Sequence, residues 1–290
     1  MMHNDHALTK TGIDQAARLN ALWKAASVEA LKTGRDANKE GIFNEEAMMT
    51  LYIKHFLDAT HVFSSPLTRA IQTALVVMED HPALTKNPLT LMSCIREVKN
   101  VGGLDTVGIA IGEKIKIRVV EELAQEFSDQ PERVKKLTKE SIKFDFGDAD
   151  EHWWTNQSTR DTSTEVDERI DEFLRHSRYC GAPIPVYVGH SLFFKDFYSK
   201  RVAKVLELNR PEMAKNMKHK LDNAVMMAVK VTYTGVKGEA QIVDAALMFG
   251  GNFHHESSFH DKDSSFVSPP SPISDSALII LPEKINANSI

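Results

Sequence analysis

Two short apolar runs that each pass straight into a helical pattern constrain this chain most. The first ends at Val62 and Phe63 and continues through "SSPLTRAIQTALVVM" (64–78). The second is "PIPVYVGH" (183–190), followed by a helical pattern over 192–207. Runs of this kind suit strands buried on both faces, and a helix after each strand is the pattern of a helix-covered parallel sheet. "LTLMSCI" (89–95) is a third run of strand length. "NAVMMAVKVTY" (223–233) and "AQIVDAALMFG" (240–250) read as paired strands across a glycine-containing turn. Apolar spacing predicts further helices over 8–32, 47–57, 119–140 and 164–180. Residues 1–250 therefore read as one α/β domain with a mostly parallel sheet.

The two strand-to-helix corners carry the chemistry. In the first, Ser64 or Ser65 suits an N-cap and Pro66 the first turn. Leu67, Ala70, Ile71, Ala74, Leu75 and Met78 then form a core stripe, with Arg69 off it at the positive end of the helix dipole. A cation there is unfavourable by roughly 0.3–1 kcal/mol unless an anion offsets it. In the second corner, Gly189 allows a close turn and His190 stands before a helix start, where free N–H groups favour an anion. Alone, each residue has a plain structural reading: Arg69 pairs with a surface carboxylate, and His190 bonds loop backbone. Together, at one edge of a parallel sheet, they fit a phosphate held by a guanidinium and an imidazole N–H. Glu97, in "CIREV" after the 89–95 run, is a third candidate for that edge. A carboxyl beside a phosphate keeps its proton more readily, which suits a general acid; the plain reading is a surface glutamate beside Arg96.

Composition limits the alternatives. No apolar run approaches the ~20 residues that cross a bilayer, so no membrane partner is expected. The start, "MMHNDHALTK", has neither the basic flank nor the apolar run of a signal peptide, and Cys94 and Cys180 are too few for a disulfide framework. A cytoplasmic location is the expectation. A net charge of −5 gives no pull toward nucleic acid, and "RVKKLTKESIK" (133–143) reads as a solvated helix face. The histidines of "HHESSFH" read as solvated polar residues, so no metal or other cofactor is expected.

With these residues in view, the chain resembles the histidine phosphatase superfamily, in its phosphoglycerate-mutase-like branch. "DHALTKTGIDQA" (5–16) is similar to that family's D-x-x-L-T-x-x-G-x-x-Q-A segment at every specified position. "SSPLTRAIQTA" (64–74) is similar to its S-P-L-x-R-A-x-Q-T-A segment, "IREV" to the stretch bearing its acid glutamate, and "VYVGHS" to the strand ending in its second catalytic histidine. "WW" followed by "TEVDERIDEFL" resembles its W…E…R…F-L helix. The resemblance spans roughly residues 5–250. It implies a three-layer αβα fold, phosphate contacts from Arg69 and His190, and a proton donor at Glu97. The partner it implies is a phosphorylated small molecule or phosphoprotein; no oligomeric state follows.

The family begins with a central strand ending in Arg-His-Gly, whose histidine becomes phosphorylated. Upstream of Asp5 this sequence has only "MMHN", and His3 has no strand to place it. Arg175 and His176 lie inside a helical pattern, out of chain order. The expectation is a phosphomonoesterase by ancestry, either truncated or a phosphate-binding pseudo-enzyme or scaffold, inactive or weak for want of the nucleophile. The sheet is expected to lack its first strand, and the domain to be incomplete at its N-terminus. Residues 251–290 are rich in Ser, Pro and charge and are expected to form a disordered tail; "ALIIL" (277–281) could dock on the domain or a partner. Within that tail, Ser268-Pro269 and Ser271-Pro272 are candidate proline-directed phosphorylation sites.

Overall fold

The computed structural model describes residues 4–33, 45–99, 106–154, 160–234, 239–254, 277–280 and 285–286, the last two stretches as backbone. His3, the two Ser-Pro pairs and most of "HHESSFH" lie outside them.

The chain forms the αβα sandwich implied above. Ten strands are described: β1 (His61–Ser64), β2 (Leu89–Leu91), β3 (Phe144–Asp145), β4 (Pro185–Gly189), β5 (Lys220–Leu221), β6 (Val225–Thr234), β7 (Glu239–Met248), β8 (Phe253–His254), β9 (Ala277–Ile280) and β10 (Ile285–Asn286). β4, β1, β2 and β3 lie side by side and parallel, and β6–β7 is an antiparallel hairpin at the far side of the sheet.

Alternation along each strand feeds two helical layers. Val62, Val186, Val188, Met226 and Ala228 join one core with α1 (Lys10–Thr33), α2 (Glu45–Leu57), α3 (Thr68–Val77), α4 (Ala83–Lys86), α5 (Glu113–Glu126) and α6 (Pro131–Leu137). Phe63, Tyr187, Met227 and Val229 join the other, under α7 (Ser163–Tyr179), α8 (Ser191–Arg201), α9 (Lys204–Asn209) and α10 (Pro211–Asn216). None of the helices described is long and apolar enough to cross a membrane.

Several boundaries depart from the sequence reading. The helix expected over 119–140 is two helices, because Pro131 cannot continue α5 and instead starts α6. The 89–95 run is a strand only to Leu91. Ser93 then turns the chain, its N–H donating to Asp148 Oδ1 at 3.1 Å. α3 is buried on every side rather than along a stripe, and its N-cap is Leu67, with no cap from Ser64 or Ser65.

The larger difference lies beyond residue 250. β8 pairs with β5, and β9 enters the sheet between β4 and β6, antiparallel to the first and parallel to the second. Its register sets Ala277 beside both Gly189 and Val225, and Ile280 beside Val186 and Ala228. β10 continues along the same side of β6, with Ile285 opposite Thr232. The sheet therefore has a strand in the slot next to β4, drawn from a segment of Ser/Pro-rich surroundings that gave no such signal. β-branched and leucine residues at 278–280 supply the strand propensity, and the ladder groups of β4 and β6 supply the need for a partner.

Candidate phosphate site

β1 lies between β2 and β4, and the three strands end level: Ser64 is opposite both Leu91 and Val188. The backbone ties continue past the strands, with Met92 N donating to Ser64 O and Ser65 N to Val188 O, both at 2.8 Å. Ser65, Glu97 and His190 thus follow three neighbouring strands at one sheet edge, and Arg69 sits in the first turn of α3 above it. Gly189 helps bring the edge together. A Cβ there would meet the Ile95 carbonyl oxygen at 3.1 Å and Phe194 Cζ at 2.9 Å.

The expected residues are all interior. Arg69 and His190 have 0% of their surface exposed, and Glu97 has 3%. His190 is the N-cap of α8, and its Nε2 lies 2.9 Å from Ser65 Oγ. Ser65 Oγ also accepts from Leu67 N at 3.3 Å. Glu97 turns one carboxylate oxygen back on its own backbone, where Oε1 accepts from Val98 N at 2.8 Å.

The anion at the start of α3 turns out to include a residue of the chain itself. Asp5 takes Thr68 N on Oδ1 at 2.7 Å and Thr68 Oγ1 on Oδ2 at 2.9 Å, capping the helix from 63 residues away. Arg118 donates to Asp5 O at 2.8 Å and to Thr68 Oγ1 at 3.1 Å. Burial pushes the Asp5 carboxyl up to about 6, against the lowering pull of the two Thr68 hydrogen bonds, Arg118 and Arg69. Arg69 therefore has a carboxylate within electrostatic reach, and the first N–H of α3 is already engaged.

Arg169 of α7 fixes the approach to Glu97. Its guanidinium donates to the Cys94 carbonyl at 3.1 Å, to the Arg96 carbonyl, and to Asp161 Oδ2 at 2.7 Å. Asp161 in turn accepts from Lys99 N at 3.0 Å. Burial, and secondarily the charge of Arg96, lower the Arg169 guanidinium to about 10.

A cleft of about 750 Å³ opens beside α1, between Arg18 and Leu22 on one wall and Lys220, Asn223, Phe249 and Asn252 on the other. Val225 lines it and is separated from Gly189 by Ala277 alone in the sheet, so the cleft begins about 10 Å from the His190 corner.

Sequence reading missed Asp5, Arg118 and Arg169 as parts of this edge, and weighed Ser65 only as a helix cap. Asp5 and Arg169 stand at specified positions of the segments that carry the resemblance, but the contacts with Thr68 and with the Cys94 carbonyl that bring them to this edge join residues distant in sequence, which no local pattern marks. Among the described residues no group of three or more His, Cys, Asp or Glu side chains is placed to hold a metal ion. Compared with models of protein families, with curated proteins and with solved structures, the chain matches none.

Proposed function

We propose that this edge binds a phosphoryl group, and that the protein is a phosphomonoesterase of the histidine-phosphatase type by ancestry. The observation that carries the reading is the contact of Ser65 Oγ with His190 Nε2 across the ends of two adjacent strands, with Arg69 in the first turn of the helix after one of them and Glu97 after the third strand. A guanidinium and an imidazole offset phosphoryl charge, and a carboxyl group supplies the proton that a leaving alcohol needs.

A second reading is a non-catalytic phosphate binder or scaffold. It is favoured by the complete burial of Arg69 and His190 and by the Asp5 carboxylate already lodged at α3. Either way, phosphate reaches the residues only when the edge opens.

Titration calorimetry with inorganic phosphate and a p-nitrophenyl phosphate assay test both. Phosphate binding that disappears in Arg69→Met supports the shared site, and turnover decides for the esterase. No heat of binding, or binding indifferent to Arg69→Met, removes the reading altogether.

A further inference from the structure

We infer that Ser65 is the nucleophile of this site and that His190 is its general base, the reaction passing through a phosphoseryl enzyme. The inference rests on the phosphoryl-binding reading above and goes beyond it by assigning the attacking atom.

Three independent features of position single out Ser65. Its Oγ is 2.9 Å from His190 Nε2, the separation at which a base removes a hydroxyl proton. It stands in the turn between β1 and α3, a strand–turn–helix corner at the end of a buried strand. And the neighbouring hydroxyls are committed elsewhere. Ser64 Oγ donates to the Ser65 carbonyl and Thr68 Oγ1 to Asp5. Leu67 N donates to Ser65 Oγ, holding a lone pair and leaving the Oγ proton for the imidazole. In the tautomer with Nδ1 protonated, His190 Nε2 accepts it.

The step balances without a metal or other reagent. Ser65 Oγ gives its proton to His190 Nε2 and bonds to phosphorus as the bond from phosphorus to the ester oxygen breaks. The departing oxygen takes the Glu97 carboxyl proton and leaves as the alcohol. Water then bonds to phosphorus and the Oγ–P bond breaks. Glu97 takes a proton from that water, and His190 returns its own to Ser65 Oγ, so free phosphate leaves and all three groups are restored.

A phosphoserine survives acid whereas a phosphohistidine does not, and this separates the two nucleophiles directly. The full chain is mixed with p-nitrophenyl phosphate, quenched in acid at short times, and weighed intact and after digestion. The expected result is one phosphoryl adduct on the peptide containing Ser65. Ser65→Ala loses the adduct and at least ~100-fold in turnover while still binding inorganic phosphate, and His190→Gln slows adduct formation by a similar ~100-fold or more. Near-ultraviolet circular dichroism checks that each variant folds, and the wild-type adduct map needs no variant at all. Phosphate binding without an acid-stable adduct, an acid-stable adduct confined to another residue, or full turnover in folded Ser65→Ala overturns the inference and leaves the phosphate site standing. Absence of phosphate binding in the wild type removes both.

Discussion

Asp5 caps the helix that begins at Thr68: one carboxylate takes both the backbone N–H and the side-chain hydroxyl of that residue. The contact ties the segment before α1 to the corner bearing Arg69, and Arg118 closes it from α5. Asp5→Ala orphans two buried donors and is expected to cost about 1–3 kcal/mol, read as a lower urea midpoint at unchanged slope. Wild-type stability in that variant would show the cap to be unimportant.

The same carboxyl shapes the response to pH. Its pKa is about 6 in the fold against 3.8 in an unfolded chain, so the folded form holds a proton over that interval and the unfolded form does not. Stability from this group is complete below about pH 4 and is lost as pH rises through 6, by roughly 3 kcal/mol. Asp5→Asn removes that falling limb. Urea melts across pH 4 to 7 check it, and an unchanged profile in Asp5→Asn would refute it.

His81 bends the profile the other way. It bridges Phe56 O and Ala83 N in the α-helical core, and burial lowers its imidazole to about 4 from 6.5. The unfolded chain takes up a proton first, so this contribution is present above pH 6.5 and falls away on acidification, by roughly 3 kcal/mol at pH 4. The wild type is thus expected to be nearly level between pH 4 and 6. His81→Gln should expose the Asp5 limb and Asp5→Asn the His81 limb, with slopes of opposite sign.

Arg169 is expected to be the most sensitive position away from the corner itself. Removing it leaves Asp161, only 1% exposed at its side chain, without its nearest cation. Arg169→Met should cost about 3–5 kcal/mol. Hydrogen exchange should quicken at Lys99 N, whose acceptor is Asp161, while amides of the β6–β7 hairpin keep their protection. Equal exchange throughout would separate the Glu97 approach from Arg169.

β9 is tested by Ile279→Pro. The residue lies between Tyr187 and Met227, where a proline removes a donor and its ring disturbs the ladder. A loss of at least ~3 kcal/mol is expected, with faster proteolysis within β4 or β6. A neutral result would mean the sheet does not depend on this strand.

What could be read in the sequence follows from how local each cause is. β1 and β4 were legible because dense apolar runs ended at Ser64 and Gly189 and were followed at once by helical spacing. Arg69 and His190 were placed at helix starts by the same local signals. The Asp5–Thr68 cap, the Arg169 bonds to the Cys94 and Arg96 carbonyls and the Ser65–His190 contact each join residues far apart in sequence, so no window contains both partners. The burial of α3 on all sides was equally hidden, because an arginine and a glutamine in its sequence suggest an exposed face. β9 was obscured by its setting: three strand-forming residues carry little signal beside a long Ser/Pro-rich stretch, and their place in the sheet is decided by β4 and β6.

The position of β9 also sets the order in which this protein can be finished. β4 and β6 are synthesised first, yet neither can complete its ladder until Ala277 and the residues after it have been made. Some forty residues separate the end of β6 from β9, which at ~5–20 residues per second is about 2–9 s of elongation. For that interval the nascent chain carries an open seam in the middle of its sheet, flanked by two apolar strands, and the late strand closes it only after emerging from the ribosome. Chaperone dependence during synthesis would therefore be set by the seam rather than by the finished protein's stability.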